Sequence, residues 1–160
     1  LYLDGNCDMY GIDRSALAGD RTKYPEPDKH MILPEVISKE PLGPAVRYGD
    51  QLWTDITRWS VYVFFIAEEL GITSQNIDTF KENKDPKIQR FMGERDGDKF
   101  PHLGAKLGLN GDWAYQIVKQ IGNYEEIYEK YLGTETPLNL KRGYNKLYTE
   151  GGLLYAPPLR

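Results

Sequence analysis

The stretch Asp50–Gly71 limits the fold more than any other part of this 160-residue chain. Leu52, Ile56, Trp59, Val63, Ile66 and Leu70 recur at three- and four-residue spacing, which lays an apolar stripe along one side of a helix. Asp50 stands where an N-cap is wanted and Gly71 where a left-handed stop is wanted. The spacing therefore predicts a helix over Gln51–Leu70. Its stripe is wide, which suits packing on a sheet. The longest unbroken apolar run inside it, Val61–Ala67, falls far short of the ~20 residues that cross a bilayer.

Little sheet is available for that helix to cover. Cys7–Ile12 alternates loosely and reads as a short strand. His30–Leu33 reads as a second, halted by Pro34, with Glu35–Ser38 continuing extended. Pro44–Tyr48 reads as a third. Helices are expected at Arg14–Asp20, with Asp13 or Ser15 as N-cap, and at Asn76–Asn83 and Pro86–Met92. Another starts at Trp113, capped by Asn110 or Asp112, and runs to Ile121. Tyr124, Ile127, Tyr128, Tyr131 and Leu132 mark the next, Leu140–Thr149 reads as the last, and an extended tail follows. The fold class is thus α/β, but with fewer strands than the helices need. Leu1–Gly5 reads as the end of a helix, Gly5 being its left-handed cap. The chain is therefore expected to be a piece of a longer protein.

Several chemistries lack support. The net charge is −4, from 20 basic and 24 acidic residues, which disfavours a nucleic-acid partner. No apolar span inserts in a membrane. The two histidines, His30 and His102, stand far apart, and no Cys or His lies at metal-ligand spacing. Glu94–Lys99 (ERDGDK) is acidic but lacks the spacing of a calcium loop, and reads as a solvated turn. No glycine-rich phosphate loop follows a strand, so no metal or other cofactor is expected. Cys7, the only cysteine, sits mid-strand in an apolar setting and reads as structural rather than nucleophilic. In an exported protein its disulfide partner is expected outside this chain. The tyrosines and tryptophans of the later helices fall at helical spacing, which favours packing over a stacking platform.

Four stretches, in order, resemble one family. DGNCDMYGIDRSAL (Asp4–Leu17) resembles the strand-Asp-helix segment near the end of the second lobe in periplasmic amino-acid-binding proteins of ABC importers. LPEVISKEPLGPAVRYGDQLW (Leu33–Trp53) resembles the stretch where the chain returns to the first lobe. GNYEEIYEKYLG (Gly122–Gly133) matches the family's terminal motif. Pro137–Arg160 is similar to the extra tail of the general L-amino-acid-binding subgroup.

The resemblance implies a type II periplasmic-binding-protein fold, two α/β lobes, present here as a C-terminal fragment. Residues 1–34 then form the end of lobe two. Residues 35–160 form the returning crossing and the C-terminal portion of lobe one with its tail. Pro34, Glu35, Val36, Ile37 and Ser38 supply a hinge. Asp13 receives the α-ammonium of a bound L-amino acid, a role that stands beside plain capping of the following helix. Ile12 borders the side-chain pocket on this reading, although Tyr10 and Ile12 also suit core packing. Arg14 departs from the small or uncharged residue expected there. It either contacts an acidic ligand side chain or is simply solvated. The arginine that grips the ligand carboxylate falls outside this chain, and Arg47 is not it. The implied partners are an L-amino acid and a membrane permease, the implied compartment the periplasm, and the implied activity binding rather than catalysis. A dehydratase-like enzyme of the cyclohexadienyl type on the same fold and a ligand-sensing ectodomain are the competing readings. A fragment of this extent is expected to lack amino-acid binding by itself.

Overall fold

The computed structural model describes residues 1–93 and 103–159. Glu94–Lys99 and His102 lie outside the described residues. The chain falls into two compact units, Leu1–Gly43 with Glu129–Lys141, and Pro44–Tyr128 with Arg142–Arg160.

The first unit opens on a turn at Leu1–Asn6. Gly5 N–H donates to the Tyr2 carbonyl at 3.1 Å and Asn6 N–H to that of Leu1 at 3.0 Å. Gly5 sits at φ +73°, so the two bonds have the Schellman pattern that a left-handed glycine permits, although no helix is described before it. Helix α1 (Arg14–Arg21) follows, close to its expected bounds, and buries Ala18. A 3-10 turn at Pro27–Lys29 interrupts the proline-rich loop. Beyond it the Tyr2 hydroxyl lies 2.8 Å from His30 Nδ1, and the Tyr24 ring meets His30 edge-on at 4.9 Å between centroids.

None of the three expected strands forms among the described residues: Cys7–Ile12, His30–Leu33 and Pro44–Tyr48 run without a ladder. A strand is a property of a pair. His30 has extended dihedrals, φ −110° and ψ 121°, yet no neighbouring segment bonds to it as a strand. The one β-type pairing described is an isolated parallel bridge between Leu147 and Leu154. Unpaired extended chain leaves side chains uncovered. Tyr10 and Ile12, which also suited core packing, are 43% and 49% exposed, and Cys7 is exposed rather than enclosed.

In the second unit α2 (Gln51–Glu69) forms as the spacing predicts, with an Asp50 oxygen accepting from Trp53 N–H at 2.9 Å. Gly71, at φ +67°, ends it. Helices α3 (Pro86–Met92), α4 (Leu103–Lys106) and α5 (Trp113–Ile121) follow, and then α6 (Tyr124–Tyr131), of which this unit holds the residues up to Tyr128. The Asn76–Asn83 helix is reduced to a 3-10 turn, Ile77–Phe80. Among the described residues α2 packs on α5 rather than on a sheet. Val63, Ile66 and Ala67 of α2 meet Ile72, Ile77, Phe91, Trp113, Ala114 and Val118 in one core, which Ala156 and Leu159 of the tail complete. Phe91, Ile72, Ile77, Val63 and Val118 are fully enclosed, and burial of such a side chain contributes about 1.5–3 kcal/mol.

One polar cluster fixes an edge of this core. Asn123 and Glu126 form a reciprocal cap at the start of α6: Glu126 N–H donates to the Asn123 side chain at 2.9 Å, and Asn123 N–H to the Glu126 carboxylate at 2.8 Å. The same carboxylate accepts from the Ser74 hydroxyl at 2.6 Å, and Asn123 donates to the Ile72 carbonyl at 3.0 Å. The expected helix Leu140–Thr149 is absent. Gly143 turns left-handed at φ +52° and Lys146 is extended at ψ 163°. The segment therefore breaks into 3-10 turns at Gly143–Asn145 and Tyr148–Glu150.

Candidate functional site

Asp13 is exposed and is the N-cap of α1. Its backbone is non-helical, φ −48° and ψ 137°, and its carbonyl accepts the first helical bond, from Leu17 N–H at 2.9 Å. Its carboxylate makes no capping hydrogen bond. The helix is therefore nucleated by backbone geometry and by burial of Ala18, and the acid is held exposed at its start. A carboxylate in that position has its lone pairs open to a donor such as an ammonium, which carries three. Ile12 and Arg14 flank it and are likewise exposed. Arg14 is the first residue of α1, where the positive end of the helix dipole disfavours a cation.

Pro34, Glu35, Val36, Ile37 and Ser38 are all exposed, Ile37 at 98%. They belong to the first unit, as do Ile12, Asp13 and Arg14. Except for Arg14, which opens α1, these residues lie outside regular elements, and all of them are exposed. No group of three or more metal-capable side chains occurs among the described residues. No described helix is long and apolar enough to cross a membrane.

Two clusters that the sequence did not signal lie in the second unit. Asp78 accepts from Lys119 Nζ at 2.6 Å and from the Tyr115 hydroxyl at 2.8 Å, and pairs with Lys81 at 2.9 Å. These hydrogen bonds, that from Lys119 first, hold its carboxyl well below the usual carboxylate range. The same bond to Asp78 raises Lys81, whose ammonium lies 5.0 Å from the Tyr115 ring centroid. The second cluster joins Arg142 to Glu68, 74 positions apart in the chain. Asp78–Lys81 is local, three positions apart, but the bonds from Tyr115 and Lys119 to Asp78 and from Arg142 to Glu68 span 37 to 74 positions, which no short-range spacing reveals. Both tie separate elements together.

No known family model matches the chain. Curated relatives do. The chain is 48% identical over 159 residues to the general L-amino acid-binding periplasmic protein AapJ of Rhizobium johnstonii. It is 47% identical over 157 residues to the putative amino-acid ABC transporter-binding protein YhdW of Escherichia coli K12. With the glutamate/glutamine/aspartate/asparagine-binding protein BztA of Rhodobacter capsulatus it shares 46% over 160 residues. These matches cover 98–99% of the chain and 45–46% of the relatives, so the chain spans about half the length of the curated relatives it matches. Among solved structures, an ABC transporter periplasmic binding protein from Brucella ovis with glutathione bound superposes with a TM-score of 0.89 at 44% identity. That match covers 98% of this chain and 48% of the other. Over essentially its whole length, then, the chain is homologous to about half of the periplasmic amino-acid-binding proteins of ABC transporters.

Proposed function

We propose that this chain is part of a periplasmic solute receptor, of type II fold, that binds L-amino acids between two lobes and delivers them to an ABC permease. Residues 1–34 belong to the end of lobe two and residues 35–160 to the returning crossing and lobe one. Asp13 takes the ligand's α-ammonium, with Ile12 and Arg14 at the pocket's border. Pro34–Ser38 is the hinge segment. Ligand bridging both lobes favours the closed form because its contacts are complete only there. The chain works by binding and releasing solute, without turnover or a cofactor.

The observation that carries this reading is the uncommitted carboxylate of Asp13. The residue occupies an N-cap position yet spends its side chain on no cap. Removing water around an ammonium-carboxylate contact strengthens it, since charge-assisted hydrogen bonds gain in a low-dielectric cleft. Relatives named for amino-acid binding support the ligand class.

One observation favours a second ligand. The Brucella ovis neighbour holds glutathione, whose γ-glutamyl end carries the same free α-ammonium and α-carboxylate as an amino acid. A site built on Asp13 therefore admits either molecule at that end, and the remaining pocket decides. Calorimetry on the protein as its gene encodes it, titrated with each of the twenty L-amino acids and with glutathione, tests both. Saturable 1:1 binding of amino acids supports the first reading; binding of glutathione alone selects the second. Silence toward both rejects the receptor assignment.

A further inference from the structure

No further inference is drawn: the strongest candidate, the open groove of about 280 Å³ along α2 lined by Pro44, Val46, Thr57 and Tyr62, lies on an apolar face for which nothing in the structure shows what covers it.

Discussion

The guanidinium of Arg142 grips the Glu68 carboxylate at both oxygens, at 2.7 and 3.0 Å, with each side chain only 5–6% exposed. Arg142 also donates to the Asn145 carbonyl at 2.7 Å. Its charge lies 5.6 and 6.0 Å from the ring centroids of Tyr124 and Tyr128. The enclosure that confines the arginine also raises the Tyr124 hydroxyl, through burial. The pair thus ties the tail segment that follows α6 to the last turns of α2. Removing one partner of a buried pair strands the other charge, which costs about 3–5 kcal/mol. Glu68→Gln and Arg142→Met are each expected to lose that much in urea unfolding. The double variant Glu68→Leu/Arg142→Met is expected to recover most of the loss, because no buried charge is left. Single losses under ~1 kcal/mol, adding simply in the double, count against this role.

Asp78 gives the protein a defined acid sensitivity. Its folded-state pKa lies below the unfolded value of about 3.9, held down by Lys119, Lys81 and Tyr115. A carboxylate depressed in this way adds stability above the unfolded pKa and loses it as pH falls through the acid range. Melting temperature followed from pH 6 to pH 2 is therefore expected to fall less steeply in Asp78→Asn than in the parent. Asp78 is 46% exposed in its side chain, so salt screens part of the effect, and the two curves should approach each other in concentrated NaCl. Superimposable acid limbs at low salt would remove Asp78 as a contributor.

Two glycines make a contrasting pair. A Cβ on Gly152 meets the backbone carbonyl of Lys146, whereas one on Gly19, inside α1, meets nothing within 4 Å. Backbone cannot step aside as a flexible side chain can. Gly152→Ala is expected to destabilise by about 1–3 kcal/mol. Gly19→Ala is expected to stabilise by about 0.5–1 kcal/mol, from reduced backbone entropy in a helix. Thermal unfolding of the two variants reads both signs at once, and a neutral Gly152→Ala contradicts the close approach.

What the sequence revealed was what is local. Asp50, the Leu52–Leu70 stripe and Gly71 define α2 within one continuous stretch, and the expected Pro86–Met92 helix forms as α3. Strand readings at Cys7–Ile12 and His30–Leu33 needed a partner that a single segment does not specify. Tyr144, Leu147 and Tyr148 fall at helical spacing, but the left-handed Gly143 and the bond from Tyr148 N–H to the Leu154 carbonyl at 2.9 Å override it. Arg142 carries no local signal of its pairing, because its partner lies 74 positions away. Asp13 was legible as a helix N-cap from its position. Its assignment to ammonium binding came from the resemblance of the surrounding segment and not from spacing.

The two roles weighed for Asp13 separate cleanly in one variant. If its carboxylate capped α1, Asp13→Ala would cost about 1 kcal/mol in the ligand-free protein. The structure shows no such bond, so the ligand-free melting temperature is expected to stay within the ±0.5 kcal/mol typical of surface substitutions. Ligand adds stability by mass action, about 2.7 kcal/mol at a hundred times its dissociation constant. The protein as its gene encodes it should show that upward shift with its amino acid, and its Asp13→Ala variant should show none if the proposed ammonium contact is lost. Asp13→Asn keeps the size and one acceptor oxygen but drops the charge, so a partial shift is expected from it. An undiminished shift in Asp13→Ala places the ammonium contact elsewhere. A lowered ligand-free melting temperature with the shift intact would return Asp13 to an ordinary helix cap.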